Sequence, residues 1–76
     1  ACGGYANGSI VAVGDYAVGN IAIGKTTAIG NALSVTKESF EEQRGEAWKL
    51  MDELPAFWNG FISLCKKFAP IMMQSQ

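Results

Sequence analysis

The sequence contains no histidine. That removes the commonest general base near neutral pH and the commonest metal ligand. Charge is sparse as well: six basic and seven acidic side chains leave a formal net charge of −1. Such a balance gives no basic footprint for nucleic acid. Only two cysteines are present, Cys2 and Cys65. They lie near opposite ends rather than as a C-x-x-C pair, which excludes the usual structural zinc and redox motifs. They allow one intrachain disulfide, two interchain ones, or none. Long apolar runs are missing too. The run at residues 54–65 is interrupted by Pro55, Asn59 and Gly60, and a spanning helix needs ~20 apolar residues. At 76 residues, a chain folding alone buries only ~60% of its unfolded surface. Together these absences argue against an enzyme and against a bound cofactor, nucleotide or metal.

What is present divides into two chemistries. Residues 1–33 hold seven of the nine glycines and only two charges, Asp15 and Lys25. Residues 34–76 hold the other eleven charges and most of the large aromatics. A shift of this kind marks a change of structure type, with the boundary near residues 32–36. The expected organisation is a glycine-rich β arm over 1–33 and an amphipathic helical segment over 34–76. The alanine at position 1 suggests a processed N-terminus, although a chain cut at that point reads the same way, and the expected setting is extracellular, cell-surface or virion. No basic stretch precedes an apolar core, so no signal peptide is read in these residues.

The first half is a repeat. Val11-Ala12-Val13-Gly14, Tyr16-Ala17-Val18-Gly19, Ile21-Ala22-Ile23-Gly24 and Thr27-Ala28-Ile29-Gly30 align after steps of five, five and six residues. Tyr5-Ala6-Asn7-Gly8 is a degenerate earlier copy. β-branched residues favour extended backbone. An odd step would flip the large side chains from face to face in a flat strand. A bend at each glycine would restore one face, so the units read as short strands with glycine corners, as in a β-solenoid or β-roll. Four or five units make at most about two coils, whereas about three repeats are needed for stability. Completion by copies of the same chain is the expectation. A poorly ordered glycine-rich arm, or an apolar helical one, is the alternative.

The second half reads as helix. Ser39 and Glu42 have capping-box spacing, with Thr36 as rival N-cap. Pro55 predicts a break, Asp52 a cap for the segment beyond it, and Pro70 a stop. Counting by threes and fours from Phe40 gives Arg44, Ala47, Met51, Leu54, Trp58, Phe61, Cys65, Phe68 and Met72. Apart from Arg44 this is an apolar seam. Leu50, Phe57, Leu64 and Ile71 widen it beyond what one thin β-roll would cover, so packing against other helices is expected. An ordinary amphipathic core helix is the rival account.

Other motifs have bland explanations. Gly19-Asn20-Ile21-Ala22-Ile23-Gly24-Lys25-Thr26 matches the P-loop pattern letter for letter, but the glycine period generates that spacing and no α/β nucleotide domain surrounds it. Asn7-Gly8-Ser9 is a glycosylation sequon and equally a tight-turn signal. Glu41, Glu42, Glu46, Asp52 and Glu53 alternate with Lys37, Arg44 and Lys49, as on a solvated helix face. Lys66 and Lys67 beside Cys65 could activate a thiol, yet its place on the seam favours a buried apolar role or an interchain bridge.

Residues 21–24 and 27–30, followed by Asn31-Ala32-Leu33-Ser34-Val35, resemble the A-x-G repeats of trimeric autotransporter adhesin heads and phage fibre β-rolls. The resemblance spans about residues 9–35. It implies left-handed β-roll coils contributed by three chains and followed by a helical coiled coil. The glycine spacing here is shorter, and the helical half is more aromatic and broken by proline. The order of helical features is also similar to filamentous phage coat subunits, which lack a β arm.

The sequence therefore predicts an α+β chain that assembles with copies of itself into a fibre, filament or virion component. The expected interface residues are Val11, Val13, Val18, Ile21, Ile23 and Ile29 in the arm, and Met51, Leu54, Trp58, Phe61, Cys65 and Phe68 on the helical seam. The rival is a secreted, bacteriocin-like peptide that inserts its aromatic face into a membrane surface. A small module presenting that face to a partner helix is a third reading.

Overall fold

The structure is a computed structural model and describes residues 2–74. Strand β1 (Cys2–Asn7) is followed by a long strand β2 (Val11–Val35), helix α1 (Phe40–Asp52), one 3-10 turn (Ala56–Trp58) and helix α2 (Asn59–Gln74). The class is α+β, with a two-stranded parallel sheet and two helices.

The register of the sheet governs everything that follows. Each paired residue of β1 faces the residue eleven positions later: Cys2 faces Val13, Tyr5 faces Tyr16, and Ala6 faces Ala17. Parallel neighbours ordinarily need a crossover of a dozen or more residues. Here only residues 8–12 separate Asn7 from Val13, so the chain must turn back sharply. β2 cannot be straight either. Its 25 residues would extend about 80 Å, but the longest dimension of the molecule is 33 Å. The same offset recurs in side chains and backbone further along. Tyr5 and Tyr16 stack with ring centroids 5.0 Å apart. The Thr26 hydroxyl donates to Asp15 Oδ1 at 2.7 Å. The Ile21 amide donates to the Ile10 carbonyl at 2.8 Å.

One offset of eleven holds two repeat units, and this corrects the expectation that every unit turns its large residues the same way. Alternate units face opposite sides. Val11, Val13, Ile21 and Ile23 are buried in the main core, whereas Tyr5, Tyr16 and Ile29 are exposed. The alanines of successive units lie between these two sides. Ala6, Ala12, Ala17 and Ala22 form a cluster of their own, flanked by Ala28. Only small side chains suit so thin an interior. The turns are correspondingly tight: a Cβ on Gly14 would collide with the carbonyl oxygen of Gly3.

Both helices lie on the side carrying Val11, Val13, Ile21 and Ile23. Those residues share one core with Val35, Phe40, Ala47, Met51, Ile62, Cys65, Ala69, Met72 and Met73. The helical seam is therefore covered within a single chain, and the two halves are one packed body. Arg44, the one charged seam position, lays its guanidinium over the Phe40 ring at 5.9 Å. That contact lets a charge sit at the edge of an apolar surface.

Three local expectations need correction. Ser39 is the N-cap of α1, but its hydroxyl makes no cap hydrogen bond. It accepts from the Thr36 amide at 3.1 Å instead, within the turn that leads out of β2. Asp52 does not cap the second helical segment; it closes α1, and its Oδ1 takes a hydrogen bond from Lys66 Nζ at 2.5 Å. Pro70 does not end α2, which continues to Gln74. Proline removes one helical hydrogen bond, but Met72 and Met73 are buried beyond it and hold the last turn down. The break at Pro55 does occur, between the end of α1 and the 3-10 turn.

Candidate functional site

The residues expected at an interface fall into three groups. Val11, Val13, Ile21, Ile23, Met51 and Cys65 are buried inside the single chain. Leu54, Trp58, Phe61 and Phe68 are half-buried and pack against the same core. Trp58 and Phe61 meet edge to face, with centroids 5.7 Å apart. Val18 and Ile29 lie on the other side of the β layer and line an open groove of about 530 Å³ with Ser9, Asn20 and Asn31. Burial of Val11, Val13, Ile21 and Ile23 follows from the eleven-residue register, which aims those units at the helices, and Met51 and Cys65 meet them from the helical side.

Two apolar surfaces remain uncovered. One is the outer side of the β layer, where Tyr5 is 69% and Ile29 52% exposed. The stacked Tyr5 and Tyr16 rings and the groove beside Val18 belong to it. The other is the outer side of α2. Phe57, just before the helix, is 84% exposed, and Leu64 and Ile71 are 57% and 67% exposed. Leu64 and Ile71 are seven residues apart and share one line along α2, and Phe57 precedes them in the 3-10 turn. Sequence reasoning placed them at the margin of the inward seam. Their separation from it was detectable only once the number of helices covering the β layer was known. Backbone is also available: β1 has a neighbouring strand on one side only, and free strand edges pair with other chains.

The P-loop-like residues run through the middle of β2, with Ile21, Ala22 and Ile23 buried. The strand–loop–helix arrangement that cradles a phosphate is not formed there. Among the described residues no cluster of three or more Cys, Asp or Glu could hold a metal ion. No helix among them is long and apolar enough to cross a membrane. The sequon Asn7-Gly8-Ser9 lies at the turn leaving β1, and the Gly8 amide donates to the Val18 carbonyl at 2.9 Å.

The two cysteines approach each other. Cys2 Sγ lies 3.6 Å from Cys65 Sγ, and both are free thiols. Cys2 is exposed and Cys65 is buried. Burial and the hydrogen bond to Cys2 push the Cys65 thiol up to about 12. It is therefore protonated at neutral pH and is not a nucleophile there, despite Lys66 beside it.

The fold thus defines a small α+β chain whose most prominent surface features are apolar and lie on two outer sides. Comparison of the chain with protein-family profiles, with characterised proteins and with solved structures finds no match.

Proposed function

We propose that this chain is a non-enzymatic structural subunit that self-assembles into a fibre, filament or virion component. The observation that carries the reading is the pair of uncovered apolar surfaces, one outside the β layer and one along α2. Covering a side chain such as Phe57 or Ile71 fully gains about 1.5–3 kcal/mol. A subunit that joins one face to a different face of its neighbour makes a heterologous contact, and such contacts grow into open filaments when the rotation does not close. The eleven-residue offset supports a β-solenoid-like reading of residues 2–35, in line with the resemblance to β-roll repeats. A coil of that kind leaves the outer edge of β1 free to receive a coil from the next copy, while the helices contribute the second contact through Phe57, Leu64 and Ile71.

Ile29→Lys and Leu64→Lys test this, since both residues are exposed and surface changes usually alter stability by no more than ~0.5 kcal/mol. Either variant should remain folded and lose assembly in sedimentation and electron microscopy. Wild-type protein that stays monomeric at every concentration would rule the reading out. The membrane reading is favoured by the same line on α2, with Lys67 exposed beside it. It predicts that Leu64→Lys loses liposome binding while Ile29→Lys keeps it.

A further inference from the structure

We propose that Cys2 and Cys65 form an intrachain disulfide that ties the first strand to the last helix. Their sulfurs are 3.6 Å apart although 63 positions separate them in sequence. The chain has no third cysteine to compete for either. Cys65 sits wholly inside the core with Ile62 and Ala69, so another copy of the chain could reach its sulfur only by opening the fold. Cys2 reaches it from the same chain. The contact is made by the exposed end of β1, and a small displacement there brings the two sulfurs to bonding distance without disturbing the helix.

The oxidant is a low-molecular-weight disulfide such as oxidised glutathione. The Cys2 thiolate attacks one of its sulfurs, its S–S bond breaks, and one small thiol leaves. Cys65 then gives its proton to solvent, and its sulfur attacks Cys2 Sγ. The protein S–S bond forms as the second small thiol departs. Two protein thiols are oxidised and one small disulfide is reduced to two thiols. Burial of Cys65 makes the second step slow and faster in alkaline solution. The same burial protects the product, because reduction by an outside thiol at exposed Cys2 must expel Cys65, a poor leaving group. The bridge does not depend on self-assembly.

The test is to incubate the full chain with oxidised glutathione at mildly alkaline pH, block remaining thiols with iodoacetamide, and measure intact mass and non-reducing gel mobility. The expected product is a monomer lighter by two hydrogens, with neither cysteine alkylated. A proteolytic peptide should link Cys2 to Cys65. Its thermal midpoint should exceed that of the reduced protein by ~10 °C or more, and Cys2→Ser should show no difference between the two treatments. A glutathione adduct that persists on Cys2, or a disulfide-linked dimer, would overturn the proposal.

Discussion

Alanine and glycine decide the shape of the β half more than its branched residues do. The column Ala6, Ala12, Ala17 and Ala22 is what two facing chain segments can enclose when they lie very close. Glycine then permits backbone to approach backbone at the turns. Gly14 and Gly45 make a direct comparison. A Cβ on Gly14 would strike the Gly3 carbonyl, whereas nothing lies near one on Gly45, which is exposed within α1. Gly14→Ala should destabilise the protein by about 1–3 kcal/mol through forced displacement of β1. Gly45→Ala should stabilise it by about 0.5–1 kcal/mol through helix propensity. Urea denaturation of the two variants measures both signs. At this scale the sequence was legible only in part. The large–Ala–branched–Gly unit marked extended backbone and corners. It did not say which large residues face the helices, because that depends on where residue i meets residue i+11, a contact between neighbouring strands rather than along the chain.

The helices were easier to foresee, because their period is local. The seam from Phe40 to Met72 and the acidic first turn of α1 follow from spacings of three and four, and the break at Pro55 follows from the proline itself. What local spacing misses is a tertiary contact that overrules a local preference. Ser39 serves the turn leaving β2 rather than the helix end. Asp52 is drawn to Lys66 on the other helix. Pro70 is carried inside α2 because Met72 and Met73 are anchored past it. The cost of that proline should be recoverable. Pro70→Ala restores an amide donor to the last turns and should raise stability by about 1–3 kcal/mol, read as a higher thermal midpoint by circular dichroism. A lower midpoint would mean that the proline ring itself seats Met73, with which it shares a shallow pocket.

Across the whole molecule, the layers run from the exposed β side through the alanine column to the inward β side, the shared core and the helices. Composition placed the change of structure type near residues 32–36 and implied that each half would look for copies of itself. In the structure the halves cover each other: Val13, Ile23 and Val35 of β2 meet Met51 of α1 and Cys65 of α2 in one cluster. What self-association would use is what this mutual covering leaves over, on the two outer sides.

The offset of eleven also acts as a clock on chain length. From Cys2 to Thr26 the paired positions lie eleven residues apart, and a residue's place within that offset goes with whether it is buried toward the helices or exposed away from them. Chain can be added there without harm only in whole periods. Duplicating residues 15–25 adds one period and keeps Ile21 and Ile23 opposite the helices. Duplicating residues 15–19 adds five residues, about half a period, and should turn those isoleucines outward, bringing the copied Tyr16 and Val18 to the core. The longer insertion should unfold cooperatively near the wild-type midpoint, and the shorter one should lose its cooperative transition in the same calorimetric scan. Growth of this protein over evolutionary time would then be quantised, with the larger change the gentler one.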